Sequence, residues 1–333
     1  MLTGDALAVA REMSTVLGLG EIVRATKLRA SGNESAAQAL AQASGGFAEV
    51  YPEDKFLVVR SLQGAGHVVG MTGDGVNDAP ALGQAEVGIA VSNATDVAKA
   101  AASVVLTTAG LSGIVDLVKN GRATYQRVLT WIVNKISRTI LKSGFVVLAF
   151  LATGKLVISA LGMVLLVFMT DFVKIALSTD RVRPSRKPES WKIGPLVWIA
   201  VLLGLLMLAE ALGLLAIGWH GFDLGSHAGQ LQTFTFQTLL FFALFSIISI
   251  RERRAFWSSR PSTVLSLALI ADASVGILIG LHGLAEMKPL PPVQSGFILA
   301  YALICSLGVN DLVKRIIITP HQTSDAAQTP LPA

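Results

Sequence analysis

Cysteine is almost missing from this chain: Cys305 stands alone among 333 residues. That excludes a disulfide framework and a thiolate metal site, and Cys305, set in an apolar run, reads as packing. Charge is scarce as well, at 15% against 52% apolar residues, whereas soluble domains lie nearer a quarter charged. A mean hydropathy of +0.61 points the same way, towards a membrane. The opening Met1-Leu2-Thr3-Gly4-Asp5 has neither a basic segment nor a short apolar core behind it, so no signal peptide is read there. The histidines are scattered without ligand spacing, which leaves them no catalytic or metal role.

The shortage of charge is uneven. Residues 1 to about 125 mix charge, glycine and short apolar runs in the manner of a soluble α/β protein. Leu7 to Leu17 reads as a helix ended by Gly18, residues 31–46 as a soft helix and linker, and Phe56 to Gln63 as a helix stopping at Gly64. His67 to Met71 is expected to be a strand, Asp78 to Gln84 a helix start, and Val87 to Val91 another strand. Ser92-Asn93 can cap a helix running to Ala102, before a third, buried strand at Val104 to Leu106. Such repeats predict a parallel sheet with its ligand site at the strand C-termini. A long helix should then start near Leu111 and pass Arg127.

Six later stretches are long enough to span a bilayer, which takes roughly 20 residues; they lie near 131–153, 156–178, 194–218, 231–250, 262–282 and 294–313. The net charge of +5 sits beside these stretches, so a lipid bilayer and not nucleic acid is the expected partner. Arg181, Arg183, Arg186, Lys187, Lys192, Arg251, Arg253, Arg254, Arg260, Lys314 and Arg315 fall on one side, and only Lys155 and Lys288 on the other. The positive-inside bias then puts the α/β region and both chain ends in the cytoplasm. Trp191, Trp198, Trp219 and Trp257 are placed as interfacial anchors, and 319–333 is expected to be a disordered tail.

The chemistry concentrates in Met71-Thr72-Gly73-Asp74-Gly75-Val76-Asn77-Asp78-Ala79-Pro80-Ala81-Leu82. A tight turn at Gly75 followed by a helix start can bring Asp74 and Asp78 to one hard cation. Magnesium keeps several waters, so two carboxylates and a phosphate make a plausible ligand set. Asn77 can donate to a phosphoryl oxygen, and a helix N-terminus favours negative charge. Gly88 and the glycines near this run are expected to permit close backbone packing.

Thr72 to Leu82 resembles the hinge signature of P-type ATPases, whose phosphorylation domain has the haloacid-dehalogenase-like fold. Thr3-Gly4-Asp5 resembles that fold's threonine motif, in which the hydroxyl holds the phosphoryl group. Pro52-Glu53-Asp54-Lys55 resembles its lysine motif, in which the ammonium neutralises an aspartyl-phosphate. The resemblance implies a partial haloacid-dehalogenase-like Rossmannoid α/β domain with a stalk helix (1–125), then an all-α transmembrane bundle of six helices (126–318). It also implies Mg2+ as cofactor and ATP as substrate. The family's acceptor lies in an Asp-Lys-Thr-Gly-Thr run, which does not occur here; the Thr-Gly-Glu motif and a nucleotide-binding domain are also missing. The chain alone is therefore expected neither to phosphorylate itself nor to pump. An N-terminal half, from the same gene or another chain, is its implied partner.

Six spans after the hinge, without a Cys-Pro-Cys motif, exclude the heavy-metal pumps by that resemblance. The second span holds one acid, Asp171, and no Asn or Gln. Thr179 to Trp191 resembles the loop of plasma-membrane proton pumps, which makes Asp171 the implied proton carrier. One titratable carboxyl suits a proton better than a cage-bound ion. Thr170 and Lys174 depart from the family pattern, and Lys174 is one turn away, where it can pair with Asp171. Lys135, Arg138 and Lys142 share a helical face. The first two are expected near the cytoplasmic end, where they snorkel or meet lipid phosphates; Lys142 is deeper, as a counter-group for Asp171 or another snorkelling lysine. Glu210 and Asp272 are further intramembrane acids and functional candidates by default, with packing or a buried hydrogen bond ranked above transport for both. A pump for another cation (magnesium or calcium), or a non-catalytic truncated membrane subunit, remain the alternatives.

Overall fold

A computed structural model describes residues 1–182 and 193–317. The expectations for Arg183, Arg186, Lys187, Trp191, Lys192 and the tail lie outside the described residues. The chain divides into two compact units, Met1–Val118 and Lys119–Ala333. The expected boundary near 125 falls inside the helix Ser112–Thr153.

In the first unit, α1 (Leu7–Leu17) ends at Gly18 as expected. β1 (Ile22–Arg24) leads into the short α2 (Ala25–Arg29) and then α3 (Glu34–Ala43), which Asn33 caps by accepting from Ala36 N. β2 (Gly46–Ala48) precedes α4 (Pro52–Gly64), then β3 (Gly70–Gly73), α5 (Ala79–Gln84), β4 (Val87–Ala90), α6 (Asp96–Ala101) and β5 (Val104–Val105). The pairing is parallel throughout but falls into two sheets, β1-β2 and β3-β4-β5. Leu2 adds a parallel bridge to Phe47. Leu2 also packs against both apolar clusters, one around Phe47 and Val58, the other around Met71 and Leu82.

Several local expectations need correction. The apolar stretch after Gly66 enters β3 only at Gly70, and Val68 is exposed. β1 and β2 went unread because each is only a three-residue run between helices. Thr95, not Ser92-Asn93, caps α6: its Oγ1 accepts from Ala98 N at 3.3 Å. β5 is an open strand with Val105 exposed, not a buried one.

The second unit is helical. Among the described residues, six helices are long and apolar enough to cross a membrane. They are α7 (Ser112–Thr153), α8 (Ala160–Leu177), α9 (Ile193–Gly221), α10 (Ala228–Ile250), α11 (Thr263–His282) and the run Pro292–Ile317, which opens as α12 (Pro292–Ile304) and continues through a π-helical turn, Cys305–Val309. α10 is buried on every side and touches α8, α9, α11 and α12. Around it lie Phe145 of α7, Leu166 of α8, Leu214 of α9 and Ile298 of α12. A helix apolar all round belongs in such a centre. Trp198 and Trp257 are exposed, while Lys155 places its ammonium 5.5 Å from the Trp219 ring.

Beyond α8 the chain is tied down by a buried ion pair. Asp180 and Arg251 side chains are each 1% exposed and meet at 2.7 Å. Asp180 Oδ1 also accepts from Ser262 N at 2.8 Å, at the start of α11. Arg251 Nη1 donates to Ser259 O at 2.8 Å. Removing one partner strands the other charge inside the protein. Arg251→Ala is expected to cost about 3–5 kcal/mol in chemical denaturation of the chain in detergent, with the exposed Arg254→Ala as control. Equal midpoints for the two variants would contradict this role.

Candidate active site

The chemistry of the first unit is built from two helix starts. Pro52 opens α4, and Tyr51 N donates to Asp54 Oδ2 at 2.8 Å, which closes the first turn. Asp54 is itself buried and lies 3.5 Å from Arg29 Nε. That turn fixes Lys55, whose Nζ donates to Asp78 Oδ1 at 2.6 Å. Asp78 Oδ2 accepts from Asp74 N and Gly75 N, both at 3.2 Å. The loop leaving β3 is thus folded around one carboxylate. Gly73 is required beside it: a Cβ there would lie 2.5 Å from Asp78 Cβ. Gly88 serves the neighbouring strand similarly, since a Cβ would come within 2.3 Å of Leu82 O. Thr95 N donates to Asp74 O at 2.8 Å, which pins the far side of the loop to α6.

Electrostatically Asp78 is tuned for the ionised form. Burial pushes the Asp78 carboxyl up, but the Lys55 hydrogen bond and charge and the Gly75 and Asp74 N–H groups outweigh it. The result is a carboxyl below its ordinary value. Asp78 is 5% exposed, whereas Asp74 and Asn77 face solvent. Both oxygens of Asp78 are engaged by protein donors, while Asp74 makes no ion pair among the described residues. For magnesium the donor chemistry fits: an exposed carboxylate on a fixed turn is a hard ligand, and water and phosphate complete such a shell.

Thr3 and Asp5 close on each other. Thr3 Oγ1 donates to Asp5 Oδ2 at 2.7 Å and accepts from Asp5 N at 3.2 Å. The Thr3 backbone pairs with Phe47 O and Val50 N, alongside β2, with Gly4 in the turn between Thr3 and Asp5. Among the described residues no hydrogen bond joins Thr3 or Asp5 to Lys55, Asp74 or Asp78. The structure brings together Lys55, Asp78 and the Asp74-Gly75 backbone; Thr3, Asp5 and Asn77 stand outside that contact set. Sequence spacing missed the Thr95 tie, because its signal is a backbone N–H.

The second unit presents the other candidate residues. Lys174 Nζ pairs with Asp171 Oδ1, and the Asp171 side chain is 52% exposed. Lys142 Nζ donates to Thr170 Oγ1 at 3.2 Å, so it reaches the residue beside Asp171 and not the carboxylate itself. Arg138 does not snorkel as expected: it is 3% exposed, and its guanidinium has no hydrogen-bond partner. It sits on the buried side of α7, together with Asn134 and Ser137.

Residues 155–316 match the family described as cation transporting ATPase, C-terminus. Residues 8–86 and 60–118 match haloacid dehalogenase-like hydrolases. A protein of Methanocaldococcus jannaschii named "Putative cation-transporting ATPase" is 35% identical over 327 residues, covering 96% of this chain and 40% of that protein. "Plasma membrane ATPase 2" of Schizosaccharomyces pombe is 34% identical over 297 residues, covering 85% of this chain and 29% of that protein. The chain spans less than half the length of either relative. Its architecture is a haloacid-dehalogenase-like α/β domain followed by six candidate membrane-spanning helices.

Proposed function

We propose that this chain is the C-terminal portion of a P-type pump that exports protons at the expense of ATP. Its phosphorylated aspartate and nucleotide domain would come from residues beyond the 333. The observation that carries this reading is the Lys55–Asp78 pair, anchored by the backbone N–H groups of the hinge. Lys55 would neutralise charge developing on a phosphoryl group. Asp78 would hold that ammonium in place, and Thr3 and Asn77 would add donors once the phosphoryl group arrives. Magnesium, held by Asp74, would supply charge neutralisation at the phosphoryl oxygens. The split of the parallel strands into two sheets supports a missing strand, since β3 pairs only with β4 among the described residues.

In α8, the one acid of that helix, Asp171, supports a proton over a divalent ion. Lys174 pairs with it and Lys142 reaches its neighbour, so a dication would meet repulsion. Among the described residues no group of His, Cys, Asp and Glu is placed to cage a metal ion. α7 would carry motion of the α/β domain into the bundle. We place the protein in the plasma membrane, multi-pass, with both chain ends cytoplasmic, on the positive-inside bias.

Labelled ATP gives the test. The chain alone should incorporate no acid-stable phosphate, and adding the remaining portion of the pump should restore labelling on an aspartate. Label appearing on this chain by itself would overturn the division of labour. No label after complementation would favour a non-catalytic subunit.

A further inference from the structure

The bundle holds another acid that the transport reading leaves unused. Glu210 lies midway along α9, where its Oε2 accepts from Asn310 Nδ2 at 2.9 Å. Its Oε1 is buried with no donor, and so is the Oδ1 of Asn310. Asn310 itself is 4% exposed. Two side chains joined by one hydrogen bond thus each keep a bare acceptor oxygen inside an apolar bundle. Leaving a buried acceptor unsatisfied is costly. Among the described residues no ammonium or guanidinium pairs with Glu210 to relieve it.

A change of helical winding accompanies this meeting. Tyr301 Oη donates to Glu210 O at 3.3 Å. Tyr301 and Asn310 are nine positions apart, which in a regular α-helix sets them about half a turn out of phase. The π-helical turn Cys305–Val309 lies between them and rotates Asn310 back towards α9. Single π turns inside α-helices often mark functional places. The same turn buries Ser306, 0% exposed, with its Oγ also lacking a partner.

We propose that Glu210 and Asn310 form an intramembrane site for one exchangeable proton, a carboxylic acid–carboxamide pair across α9 and the π turn. The added proton bonds to Glu210 Oε1 and is donated to Asn310 Oδ1, which closes a ring with the existing Asn310 Nδ2 to Oε2 bond. One carboxylate and one proton become one carboxylic acid; no other bond changes. A metal ion is poorly matched, because hard cations take about six oxygens and this pair offers two free ones. Among the described residues, Tyr301 and Cys305, both on the facing run, are the titratable side chains that feel the Glu210 charge. An ionisable group at this depth is a functional candidate by default. The site is separate from Asp171 and does not depend on its role.

Infrared spectroscopy of the chain in lipid vesicles at neutral pH tests this. The carboxylic C=O stretch should be present, shift on transfer to heavy water, and vanish in Glu210→Gln. It should persist in Asp171→Asn, and in Asp272→Asn it should lose at most a separate component. Asn310→Leu should move the band to the frequency of a less hydrogen-bonded acid. A spectrum unaltered by Glu210→Gln overturns the proposal, as does a band erased by sodium chloride at fixed pH, which would mark a cation site. If Glu210→Gln fails to reach wild-type helicity, Asn310→Leu still decides: an unmoved band sinks the pair.

Discussion

Lys55→Ala, introduced into the assembled pump, is expected to slow ATP hydrolysis by roughly 10²–10³-fold, the usual loss when one preorganised donor is taken from a phosphoryl or oxyanion site. The size follows from geometry. Lys55 is the only ammonium that contacts the hinge acids among the described residues, and its Nζ is held 2.6 Å from Asp78 Oδ1 by the first turn of α4. A lysine held this way loses little when a phosphoryl group arrives, because it has already been ordered. Lys55→Arg should recover part of the rate, since the charge returns with a different reach. The substitution also strands Asp78, 5% exposed, so circular dichroism must accompany the kinetics. A folded Lys55→Ala pump that hydrolyses ATP at the unaltered rate would remove this residue from the chemistry.

How much of this was legible follows from what each residue's signal is made of. The hinge acids and the bundle were readable because composition and spacing carry them: Asp74 and Asp78 flank a turn glycine, and the apolar runs match bilayer thickness. α1 was readable to the residue, because its pattern stops at Gly18. β1 and β2 were not, since three residues fit no period and their pairing is made by residues more than twenty positions away. Arg138 was misread for a similar reason: helical phase puts it on a face, but whether that face is covered depends on residues distant in sequence, and Arg138 is 3% exposed. The division of labour between the hinge acids was also hidden. Spacing treats Asp74 and Asp78 alike, yet the fold spends both oxygens of Asp78 on Lys55 and two N–H groups and leaves Asp74 in solvent.

Asp171→Asn is expected to abolish proton uptake by vesicles carrying the assembled pump while leaving phosphorylation by ATP intact. The two functions should separate because Lys55, Asp74 and Asp78 lie in the first unit and Asp171 in α8 of the second. Asparagine keeps the size and one oxygen of aspartate but cannot take up and release a proton between them. Lys174→Gln gives the complementary result. It removes the ion-pair partner that holds the carboxylate, so uptake should persist with an altered pH profile. Two unit charges at contact are worth about 4 kcal/mol at an effective dielectric near 20, but Asp171 is half exposed and solvent screening reduces this. A measurable change in profile is therefore expected, not a loss of transport. Unaltered proton uptake by Asp171→Asn would transfer the carrier role away from α8. Uptake lost together with phosphorylation would mean instead that the substitution disturbs the bundle as a whole.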